Sequence, residues 1–78
     1  MNIDLIKQVD KEIVRQIEKW GATDENPIVL IAAATEELGE VAHAVFHDEG
    51  VKQIRQEISE VIGVLARLYD MVEIIKPT

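Results

Sequence analysis

Apolar residues return every three or four positions through the first quarter of the chain, at Ile6, Val9, Ile13, Ile17 and Trp20. That spacing marks one face of a helix and predicts one from about Ile3 to Trp20. The pattern breaks at "GATDENP", residues 21–27, a run of turn formers. Asn26 can cap a helix and Pro27 is tolerated in a first turn, so a second helix is predicted from there to about His47. "HDEG", residues 47–50, separates it from a third helix running from Val51 to about Ile75, which Lys76-Pro77 closes. The third helix carries Ile54, Ile58, Val61, Leu65, Leu68, Val72 and Ile75 on one stripe. Ile62 and Tyr69 widen that stripe on one side, Val64 and Met71 on the other. The sequence contains no strand-like alternation with turn chemistry, no internal repeat and no linker. It predicts one all-α domain over residues 1–78 with three main helices.

The second helix is apolar over most of its circumference, "PIVLIAAATEELGEVAHAVF". Helices wetted on so little surface need partners on several sides. Three helices in one short chain do not supply them, and a core of this size contributes only about 3–5 kcal/mol without staples. The expectation is a four-helix-type bundle completed by further copies, as a homodimer or homotetramer. The chain has no cysteine, which removes disulfides and thiolate metal sites and fits a reducing cytoplasm. Its formal charge of −7 argues against a DNA or RNA duplex and against an anionic membrane as partner. Residues 1–10 carry Asp4, Lys7 and Asp10 rather than an apolar leader, and no uncharged run is long enough to span a bilayer.

Within the apolar second helix stand Glu36, Glu37 and Glu40, which at 100° per residue share roughly a 100° arc. The third helix repeats the device with Glu57 and Glu60, again three apart. Glu is a strong helix former, and such pairs usually lie on solvated faces. Here a short connection makes the two helices antiparallel neighbours, so two carboxylate pairs can converge. Like charges about 6 Å apart repel by about 3 kcal/mol at an effective dielectric of 20. Such a cluster takes up protons or collects a cation, and all-oxygen ligation selects Mg²⁺ or Mn²⁺.

The order EExxE, then sixteen residues, then ExxE resembles the paired motif of the MazG-like nucleotide pyrophosphohydrolases of the all-α NTP pyrophosphatase superfamily. "EKWG", residues 18–21, is similar to the run before the motif in short members. The last motif position, Asp in the family, is Glu60 here, one methylene longer. The resemblance implies that Glu37, Glu40, Glu57 and Glu60 ligate Mg²⁺ and that Glu36 holds or activates the attacking water. The implied reaction cleaves a (d)NTP between its α- and β-phosphates, giving a monophosphate and pyrophosphate. A non-catalytic assembly or nucleotide-binding module with the same fold is the alternative that the Glu60 departure raises.

Four further residues are candidates for the substrate. Trp20 either anchors the core or offers a face on which a base stacks. Lys52, Arg55 and Arg67 either are solvated or meet phosphate, with a salt bridge between subunits as another role for Arg67. Glu40-Val-Ala-His43 also matches the Glu-x-x-His ligand pair of di-iron carboxylate bundles, a reading that leaves Glu36, Glu37 and Glu60 without a role.

Overall fold

The computed structural model describes residues 1–21 and 26–75, with the side chains of 73–75 excluded. Three helices form: α1 (Ile3–Trp20), α2 (Pro27–Phe46) and α3 (Val51–Ile75). No strand is present among the described residues. The start signals act as their chemistry dictates. The Asn2 side chain accepts from Leu5 N–H at 2.8 Å, and Asn26 accepts from Ile28 N–H at 2.8 Å with Pro27 in the first turn. Residues 22–25 of the expected turn and the closing Lys76-Pro77 lie outside the described residues.

α2 ends in a Schellman arrangement, in which Glu49 N–H donates to Ala44 O and Asp48 N–H to Val45 O. Asp48 takes the left-handed position at φ 51°, where Asp is one of the better-tolerated non-glycine residues. Gly50, at φ 97°, then turns the chain into α3.

α3 packs against both other helices, while among the described residues α1 and α2 approach one another only where Ile17 and Trp20 share cavities with Leu30. Leu30, Ala44 and Val64 are buried, the first two on α2 and the third on α3. On α1 the expected stripe is not the buried face. Val9 is buried, but its buried companions are Glu12 and Gln16, while Ile6, Ile17 and Trp20 are exposed. Polar bonding explains the rotation. Gln16, 1 % exposed, donates to Glu60 O at 3.2 Å and accepts from Arg67 Nη1 at 3.3 Å. Arg67 also donates to Gly21 O at 3.1 Å, which ties down the end of α1.

Gly63 makes that contact possible, because a Cβ there would stand 2.9 Å from Gln16 Nε2 and 3.5 Å from Glu12 Cγ. Gly63→Ala would gain up to about 1 kcal/mol in helix propensity. It would also force a buried, doubly bonded amide from its seat. Net destabilisation of about 1–2 kcal/mol is expected in urea unfolding, and a more stable variant would show that Gln16 moves without cost.

Large apolar side chains remain open on every helix. They include Ile28, Ile31, Leu38, Val45 and Phe46 on α2, and Val51, Ile58, Leu65, Tyr69 and Val72 on α3. Among the described residues no helix is long and apolar enough to cross a membrane.

Candidate metal centre

Leu30, Glu37 and Ala44 are seven residues apart and so share the row of α2 that faces α3. Glu37 is therefore carried into the α2–α3 contact between two buried apolar neighbours. Glu57 and Glu60 lie one turn apart on α3 and meet it there. Glu37, Glu57 and Glu60 are half-buried, and one carboxylate oxygen from each lies within 4.8 Å of the others. Gln53 Nε2 donates to Glu57 Oε1 at 2.7 Å and fixes that carboxylate from the preceding turn.

Burial and mutual repulsion raise the proton affinity of this trio. Glu60 is pushed up to about 7, first by burial and then by the charges of Glu57, Glu37 and Glu12. Glu37 is raised by burial and by Glu57, Glu40, Glu36 and Glu12. Three oxygen donors that resist being ionised together, held at one point, suit a hard cation.

The wall behind the trio, which α1 supplies, had no signal in the spacing of residues. Glu12 is buried and accepts from Arg15 Nε at 2.8 Å and from Arg15 Nη2. Arg15 Nη2 also reaches Glu60 Oε1 at 3.2 Å. Gln56 Nε2 donates to Glu12 Oε2 at 3.2 Å, and Gln8 Nε2 donates to Gln56 Oε1 at 3.1 Å. A chain of amides and charges thus runs from α1 to Glu60. Among the described residues every buried side-chain polar atom has a partner.

The other sequence candidates lie around this centre. Glu36 and Glu40 are exposed on α2, outside the converging trio but near enough to act on Glu37. Trp20 is exposed, with Lys19 Nζ 5.1 Å from its ring centroid, and it lines a cavity with Leu30, Ala33, Val64 and Arg67. Arg67 is buried beneath that cavity. Lys52 and Arg55 are exposed, and Arg55 lines a separate cavity with Asn2, Gln8 and Ile58. His43 stacks at 4.1 Å on His47 and lies 3.4 Å from Glu49 Oε2, on the exposed end of α2.

The raised carboxyls fix the sign of the pH dependence. Glu60 binds its proton more tightly in the folded chain than in the unfolded one, so folding takes up protons between the ordinary carboxylate range and about pH 7. Stability is therefore greatest below that window and falls as pH rises through it. The thermal midpoint of the metal-free protein is expected to drop from about pH 5 to about pH 8. A midpoint that rises over this range would show that the trio is not strained by its own charge.

Comparison with family models, with curated proteins and with solved structures finds no match to this chain.

Proposed function

We propose that this chain is a nucleotide pyrophosphohydrolase of the MazG-like kind, acting on (d)NTPs in nucleotide-pool housecleaning as a cytoplasmic homodimer or homotetramer. The observation that carries the reading is the convergence of Glu37, Glu57 and Glu60 from two helices onto one half-buried point. This donor set fits Mg²⁺, with Mn²⁺ as a substitute. The ion, when bound, neutralises phosphate charge and lowers the pKa of a coordinated water.

The chain's own residues divide the remaining work. Glu37, Glu57 and Glu60 hold the ion, and Glu40, one turn from Glu37, is the further ligand on the exposed side. Glu36 orients the attacking water for in-line displacement at the α-phosphorus, which breaks the bond to the bridging oxygen and releases pyrophosphate. Arg15 holds Glu60 in place and presents its exposed side toward the phosphates. Trp20 offers its open face to the base, while Lys52 and Arg55 belong to the phosphate-attracting rim. Catalysis on these lines is placement and electrostatics.

Purified protein with Mg²⁺ is expected to release pyrophosphate from at least one member of a panel of standard and modified triphosphates. Silence across the panel with both Mg²⁺ and Mn²⁺ would end the reading. The contact of Arg15 with Glu60 favours one second reading, a non-catalytic helical module in which a side chain serves as the cation. Nucleotide binding without turnover would support it.

A further inference from the structure

We infer that the side of the α2–α3 hairpin turned away from α1 is where a second copy of this chain docks, antiparallel, α2 upon α2 and α3 upon α3. This gives a form to the homo-oligomer proposed above and rests on that reading for its copy number, but not on the hydrolase chemistry.

Two heptad seams lie open on that side. On α2, Ile28, Ile31, Thr35, Leu38, Ala42 and Val45 follow steps of three and four, all of them exposed. On α3, Val51, Ile54, Ile58, Val61, Leu65, Leu68 and Val72 do the same, each exposed or half-exposed. Such spacing is the mark of a coiled-coil seam. At 100° per residue the α2 seam stands about 125° from the Leu30–Glu37–Ala44 row that meets α3. The α3 seam stands about 80° from its own Glu57–Val64 row and about 170° from Gly63, which meets α1. Because the two helices run in opposite directions, both rotations turn the seams to one side. Neither seam carries a charge, in a chain with 15 acidic and 8 basic residues.

The register is self-complementary. A two-fold axis crossing α2 between Glu36 and Glu37 sets Ile28 against the partner's Val45, Ile31 against the partner's Ala42 and Leu38 against the partner's Thr35. Each large side chain in the inner layers then meets a small one. A parallel pairing would stack Ala42 on the partner's Ala42 and Thr35 on the partner's Thr35, leaving layers underfilled.

On α3 an axis crossing between Ser59 and Glu60 sets Val51 against the partner's Leu68, Ile54 against the partner's Leu65 and Ile58 against the partner's Val61. Glu37 meets Glu57 and Glu60, so these two crossing points lie at one level of the hairpin. A single axis therefore brings both seams into register. Ile28, Ile31, Leu38 and Val45 keep 52–73 % of their surface open on α2, and Val51, Leu65 and Val72 keep 47–66 % on α3, apolar surface of the order that a stable interface of ~800 Å² per partner buries. The carboxylate trio and Arg15 stay on the far side, reachable in the dimer.

The chain has no cysteine, so single replacements report cleanly. In this register Ile28 and the partner's Ile28 lie about 25 Å apart, as do the two copies of Val45. Wild-type protein is expected to scatter light with twice the chain mass. Ile28→Cys alone and Val45→Cys alone should not be joined by a short bis-maleimide, and the two co-refolded should give a covalent dimer. Leu38→Glu should halve the mass while keeping helical circular dichroism; if that variant fails to fold, the cysteine pair decides. A dimer in which either single variant links to itself, or in which the mixture does not link, overturns this face and register while the homo-oligomer stands. A monomeric wild type overturns both, and the pyrophosphate assay is then still free to succeed or fail by itself.

Discussion

Glu57→Gln is expected to lower metal-dependent pyrophosphate release by about 10²–10³-fold while leaving the helices intact, since one charged group at the reacting centre commonly accounts for that much. The replacement keeps size and the capacity to accept from Gln53, and it removes only the charge. After burial, the charge of Glu57 does most to raise both Glu37 and Glu60. Its neutralisation therefore also lets both of those carboxyls fall back toward the ordinary carboxylate range. Two readouts should move together: turnover collapses, and the fall in stability with rising pH becomes shallower. Glu37→Gln should lose activity comparably, because Glu37 alone brings α2 to the trio. Glu36→Gln should depress turnover while sparing metal binding, measured by calorimetry. Full activity in Glu57→Gln would remove the basis for the proposed function.

Arg15→Met should destabilise the protein by about 2–4 kcal/mol in urea unfolding. Removing one partner of a buried pair costs about 3–5 kcal/mol because the other charge stays behind. Here Glu12 is buried while Arg15 is 45 % exposed, and solvent screening on the Arg15 side brings the expected loss down to about 2–4 kcal/mol. Arg15 is also a positive neighbour of Glu60 and Glu37, so its loss leaves their repulsion less opposed. Adding Glu12→Gln to this variant should recover most of the loss, since a neutral amide can still accept from Gln56. A change under about 0.5 kcal/mol in the single variant would show that Glu12 needs no charged partner.

The helices were legible because their signals are local. Asn2 and Asn26 cap, Pro27 opens α2, and "HDEG" turns the chain where its residues suggest. Two carboxylate pairs were expected to converge, and Glu37, Glu57 and Glu60 do lie together while Glu40 stays exposed, because a spacing of three puts residues on one face without saying which of them meets the neighbouring helix. What stayed hidden was the partner of each face. The apolar stripe of α1 pointed to a buried Ile6, Ile17 and Trp20, whereas hydrogen bonds to Glu12 and Gln16 turned another face inward. Those bonds join residues 44 or more positions apart, which periodicity does not reach. A helical glycine at 63 was the available hint, since such a residue often marks a close approach.

That α1 leans chiefly on α3 has a consequence for the order in which the protein forms. α2 and α3 are joined by four residues and meet along their length, so their hairpin closes a short loop at low entropic cost. The hydrogen bonds that hold α1 to α3 span 44 to 51 residues, which makes its docking the later event. Glu37, Glu57 and Glu60 thus come together while Arg15 is still in solvent. In that interval their repulsion has no internal counter-charge. Divalent cations and mild acid should accordingly speed the first folding phase of this protein, closure of the hairpin, more than the last.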